Sequence, residues 1–147
     1  MPIAVATATL RPDEIVKAES KTTVSEALAK HLVAALSDEF SLRMIISTMD
    51  VGKTVQDISI EQAVPLSTCY RRARELVQEG ILVVERVVVT GEGKRFAVYR
   101  SSFKTAEVVS DFRGISASVE VNEAVAEKFR RWCFYASYPN GKGELDS

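Results

Sequence analysis

Two cysteines, one histidine and one tryptophan in 147 residues leave little material for metal or redox chemistry. Cys69 and Cys133 form no C-x-x-C pair, and His31 is the only imidazole, so neither a zinc site nor any other bound cofactor is expected. Long apolar runs are also missing, since no stretch approaches the roughly 20 residues that cross a bilayer. Met1–Leu10 is apolar but lacks the basic start of a secretion signal. These absences lead us to expect a soluble, cytoplasmic protein without a membrane partner. No nucleophile stands in sequence with a base, and Gly91-Glu92-Gly93-Lys94 lacks the strand-to-helix setting of a phosphate loop, so an enzyme is not expected. Strong charge of either sign is absent too. A net charge of −1 and a pI near 5.9 exclude a protein that coats polyanions indiscriminately.

What charge there is lies unevenly. Residues 1–50 carry five basic and seven acidic groups, residues 51–104 nine and six, and residues 105–147 five and seven. The basic middle contains the most informative stretch, Ser67–Gln78. Cys69, Ala73, Leu76 and Val77 recur at helical spacing and predict one buried stripe, with Ser67 as the N-cap and Gly80 as the stop. Ser67, Thr68, Tyr70, Arg71, Arg72, Arg74, Glu75 and Gln78 then face outward. Arginine offers paired donors that read guanine edges or hold phosphates, so this face suits double-stranded DNA.

Before it, Thr54–Ala63 predicts a shorter helix capped by Thr54, with Val55, Ile58 and Ala63 toward the core, and Pro65 enforces a break between the two. After Gly80 the period changes. Ile81–Thr90 and Arg95–Arg100 are β-branched runs around a glycine-bearing turn, hence a hairpin. Helix, turn, helix and hairpin is the order of a winged helix-turn-helix, within an α+β fold.

The segments Leu36–Glu39, Leu42–Ile46, Val55–Ser59, Pro65–Arg72, Glu75–Leu76 and Glu79–Leu82 together resemble the archaeal ArsR-like winged helix-turn-helix regulators, over roughly residues 35–102. The resemblance implies DNA binding by the second helix and dimers built through added helices. The metal-sensing members of that wider group carry cysteine pairs near this helix; here Cys69 stands alone, and burial in the stripe argues for an inert thiol. Thr68 and Arg71 are nearest the base edges, Arg72 and Arg74 suit phosphates, and Tyr70 serves either as a phosphate donor or as a brace to the hairpin. Lys94 and Arg95 at the hairpin tip either touch the minor groove or phosphates, or are a solvated turn. Ser67, Thr54 and Gln56 lie where helix N-termini meet phosphates, though capping is their first role.

The flanks complete the expectation. Residues 1–22 read as a flexible arm, within which Pro12-Asp13-Glu14 begins a short helix, and 139–147 as a disordered tail. Residues 23–104 form the DNA-binding domain with a preceding helix, capped by the box Thr23–Glu26, and a second helix opens at Ser37 with Phe40, Leu42, Ile45, Ile46 and Met49 inward. Residues 105–138 form a hairpin, turning at Asp111–Gly114, whose return strand alternates Ile115, Ala117, Val119 and Val121 on one face with Ser116, Ser118 and Glu120 on the other, and a final helix capped by Asn122. That helix carries Val125, Phe129, Trp132, Cys133 and Ala136 on one side, and with its further aromatics suits a dimer interface or a ligand pocket. Leu28, Leu32, Val125, Phe129 and Trp132 are the candidate homodimer contacts; His31 is read as a packed or a rim histidine. The functional expectation is a dimeric, sequence-specific transcriptional regulator. The alternative is a winged helix that docks proteins in a transcription or chromosome complex.

Overall fold

A computed structural model describes residues 21–136; the expected N-terminal arm with its short helix, save for the last two residues, and the expected tail lie outside that range. Within it the chain is α+β, with five α-helices and two small antiparallel sheets. Among the described residues no helix is long and apolar enough to cross a membrane.

The order begins with β1 (Thr22–Thr23), which pairs with a later strand through Thr22–Val119 and Thr23–Ser118. The expected capping box is therefore displaced. Thr23 is committed to the sheet, where a β-branched side chain sits well, and Ser25 caps α1 (Glu26–Ser37) by accepting from the Leu28 amide at 3.2 Å. Helix α2 (Glu39–Ser47) opens at Asp38 rather than Ser37, because the Asp38 carboxylate accepts from the Ser41 amide at 2.9 Å while the Ser37 hydroxyl donates back to Val33 within α1. Its buried stripe is Ser41, Met44, Ile45 and Thr48, so Ile46, expected inside, is 56% exposed on the opposite face.

Thr54 caps α3 (Val55–Gln62) as expected, accepting from the Asp57 amide. Ala63 does not enter the core. It takes a left-handed conformation with φ 55° to end α3, is exposed, and hands the core position to Val64. Helix α4 (Leu66–Gln78) starts from Pro65, with no side-chain cap; Ser67 lies inside the first turn. At the other end Ile81 N donates to Leu76 O and Gly80 N to Val77 O, the paired bonds that close a helix around a glycine at φ 82°.

Strands β2 (Leu82–Val89) and β3 (Arg95–Ser101) form one hairpin, and Lys53 bridges to Tyr99 on the other side of β3. Strands β4 (Phe103–Asp111) and β5 (Gly114–Val121) form the second sheet in the order β1-β5-β4. Ala117 and Val119 are buried, as the alternation predicted. Asn122 accepts from Ala124 to start a 3-10 turn, Glu123–Val125, that leads into α5 (Ala126–Ala136).

One core joins these parts. Leu28 and Leu32 of α1, Ile58, Cys69 and Leu76 of the middle helices, Phe103 of β4, Val119 of β5 and Phe129 of α5 belong to a single buried cluster. The division expected at residue 105 is thus not a boundary in the core. A polar node ties its edges. Thr48, Ser101, Ser102 and Asn122 are buried yet satisfied: the Asn122 amide donates to Met49 O at 2.9 Å and Ser101 O at 3.0 Å, and the Ser102 hydroxyl donates to Gly80 O at 2.7 Å. Gly80 itself is pressed by Trp132, whose ring atoms would lie 2.7–2.8 Å from an added Cβ.

Two substitutions test this frame. Gly80→Ala combines a disfavoured φ with overpacking against Trp132, and should lower the unfolding free energy by roughly 2–4 kcal/mol in urea titrations. Asn122→Ala removes the donors to Met49 O and Ser101 O and the oxygen that caps the turn into α5, and should cost about 2–3 kcal/mol by the same measurement.

Candidate nucleic-acid interface

The outward face of α4 follows from its burial pattern. Cys69, Ala73 and Leu76 point into the core, so Ser67, Tyr70, Arg71, Arg74 and Gln78 are exposed and Thr68 is half-buried. Cys69 is fully enclosed, with its Sγ 3.6 Å from Val55 O, and burial pushes the thiol pKa up. That is the environment of a packing residue, not of a thiolate.

The three arginines divide. Arg72 reaches back to α2, pairing with the Asp38 carboxylate at 3.1 Å and with Glu75 at 3.4 Å, and its Nε is buried without a partner. The expectation for Arg72 is a phosphate; its half-buried guanidinium is instead engaged by two carboxylates of its own chain, because α4 crosses α2 where Asp38 caps it. Arg71 and Arg74 have no ion pair among the described residues. Asp38 is held below the ordinary carboxylate range, first by the Ser41 backbone N–H, against desolvation that raises it; the Ser41 hydroxyl, Arg72 and then Arg71 add to the lowering.

Tyr70 is a brace, but toward α3: its hydroxyl accepts from Gln56 Nε2 at 2.8 Å. Lys94 and Arg95 are exposed where β2 turns into β3, and the turn closes through Lys94 N to Thr90 Oγ1 and Thr90 N to Lys94 O. The distal half of β2 is exposed as well, so the hairpin projects from the body. Its base is clamped by Arg100, which donates to Met49 O, Asp50 O and the Glu85 carboxylate.

The candidate dimer residues are placed differently from expectation. Leu28, Leu32, Val125 and Phe129 are buried in the core of one chain, each no more than 3% exposed, so they offer almost no surface to a second copy. The short α1 packs back on β5 and α2 instead of reaching outward, and Phe129 meets Phe103 edge-on at 5.0 Å. Trp132 is half-buried, stacked on Phe129 and seated over Gly80. A groove of about 1120 Å³ runs between α1 and α5, lined by Leu28, His31, Glu79, Phe129, Trp132 and Cys133 among others. His31 is on its rim, with Nδ1 3.5 Å from the Glu79 carboxylate.

Several contacts that shape this face had no mark in the sequence. Asp38–Arg72, Gln56–Tyr70 and Lys53–Tyr99 join residues far apart in the chain, so no local pattern pairs them. No protein-family model matches this chain, and no curated protein matches it.

The partition of the arginines is measurable as stability. Arg72→Ala should lower the unfolding free energy by about 1–2 kcal/mol, because charged hydrogen bonds at a half-buried site are lost. Arg71→Ala and Arg74→Ala should stay within about 0.5 kcal/mol. Since the folded pKa of Asp38 is depressed, its charge stabilises the fold above its unfolded pKa and that contribution is lost as pH falls through the folded value. Asp38→Asn keeps a cap without the charge, so the stability gap between wild type and this variant should be widest near neutrality and shrink as pH falls below the ordinary carboxylate range.

Proposed function

We propose that the protein is a winged helix-turn-helix regulator of transcription that binds duplex DNA in a sequence-specific way. Helices α2, α3 and α4, the bridging residue Lys53 and the β2–β3 hairpin supply the three helices and the wing of that arrangement in its usual order. In this reading the first turns of α4 enter the major groove. Ser67, Thr68 and Arg71 approach base edges, as residues near the start of a reading helix do, and Lys94 and Arg95 on the wing approach the backbone.

The observation that carries the reading is the outer face of α4. It is polar from Ser67 to Gln78, and Arg71 and Arg74 have no ion pair among the described residues while the neighbouring Arg72 holds the helix in place. A helix fixed by one arginine and presenting two others is suited to reading rather than to packing. With a net charge of −1 the whole protein lacks the field for tight non-specific binding, so recognition rests on placement of these few cations. A reader of two half-sites would need two copies, paired through surface other than Leu28, Leu32, Val125 and Phe129.

The groove between α1 and α5 favours the second reading, a winged helix that docks another protein. Duplex binding separates the two. In fluorescence-anisotropy titrations the regulator reading expects affinity that falls steeply with salt. Arg71→Ala should cost roughly 1–3 kcal/mol and relax preference at one base pair, whereas Lys94→Ala should weaken all sequences alike. Absence of salt-dependent binding to any duplex would leave docking as the surviving reading.

A further inference from the structure

We infer that Gln56, Tyr70 and Arg74 form a seat for one backbone phosphate of the bound nucleic acid, at the corner where α3, α4 and the base of the hairpin meet. The inference rests on the DNA-binding reading and assigns the part of α4 that faces away from the bases.

The Tyr70 side chain stands 44% exposed, and its oxygen already accepts a hydrogen bond from Gln56 Nε2 at 2.8 Å. With that lone pair engaged, the phenolic proton has to be donated elsewhere, and no described residue accepts it. One turn further along the same face is Arg74, at the spacing that makes helical neighbours, with no carboxylate partner among the described residues. A phenolic O–H beside a guanidinium fork matches the two non-bridging oxygens of a phosphodiester. The third wall is the hairpin base. Tyr99 pairs with Lys53, the residue before the Thr54 cap, and burial first and then Tyr70 push its phenol pKa up while the Arg74 charge lowers it. Lys53 does not compete for the anion, being paired with Glu61 at 2.6 Å. Round the helix Arg71 lies between Arg74 and Arg72, toward the side that meets Asp38. The two free arginines thereby have separate work: Arg71 reads bases and Arg74 grips the strand.

Fixing Tyr70 through Gln56 also fixes how far α4 sinks into the groove. A phenol held by α3 can meet a phosphate at one depth only, so the seat sets the register in which Arg71 meets a base.

The test uses the full chain and a labelled duplex that it binds, with one uncharged methylphosphonate placed in turn at each backbone position. Wild type should lose about tenfold or more in affinity at one position near the site. Tyr70→Phe and Arg74→Ala, checked for an unchanged urea midpoint, should each bind the unmodified duplex more weakly and lose most of their sensitivity at that same position. Arg71→Ala should keep it. If both variants retain the wild-type pattern at every position, the seat is wrong although DNA binding stands. If the wild type binds no duplex, the DNA-binding reading falls first and the seat with it.

Discussion

The hydrogen bonds of Asn122 hold this structure in its shape. One buried amide group bonds the carbonyl that follows α2 and the carbonyl at the end of the hairpin, while its oxygen starts the turn into α5. Ser102 continues the junction by bonding Gly80, the residue that ends α4. Inside a protein such groups are costly if unpaired, so every element that meets there is held to one position. Helix α4 is the element whose position matters most. Its C-terminal end is set by Gly80 under Ser102 and Trp132, its middle by Cys69 and Ala73 in the core, and its flank by Arg72 on Asp38.

From that constraint the surface follows. Once Arg72 is drawn to Asp38, the remaining exposed residues of α4 form a polar strip in which Arg71 and Arg74 have no ion pair among the described residues. The hairpin is fixed relative to it by Arg100 and by the Lys53–Tyr99 bridge, so strip and hairpin keep a constant spacing. Rigid elements carrying a few placed donors are what recognition of a regular polymer requires, and the low net charge makes placement matter more than field.

Much of this was legible from residue patterns because it is local. The Thr54 cap, the stop at Gly80, the two hairpins and the buried alternation of Ala117 and Val119 depend on neighbours a few residues away. What escaped depends on packing between elements. Ser67 looks like a cap, but the helix already begins at Leu66 from Pro65; Ile46 fits an apolar stripe, but α2 turns Met44 inward instead. The outward face of α4 was readable from its period. The diversion of Arg72 and the bond from Gln56 to Tyr70 were not, because no local rule places partners that are 34 and 14 residues apart. Leu28, Leu32, Val125 and Phe129 carry the apolar character of an interface, and the same character serves a core; only the way α1 and α5 pack against the rest of the chain decides between them.

The central claim is that the α4 strip reads DNA sequence, and the most direct test is selection of bound duplexes from a random pool. The account predicts enrichment of a short motif by the wild-type chain, with preference at one base pair of that motif lost by Arg71→Ala. A pool that emerges unchanged after repeated rounds with the wild-type protein would contradict it.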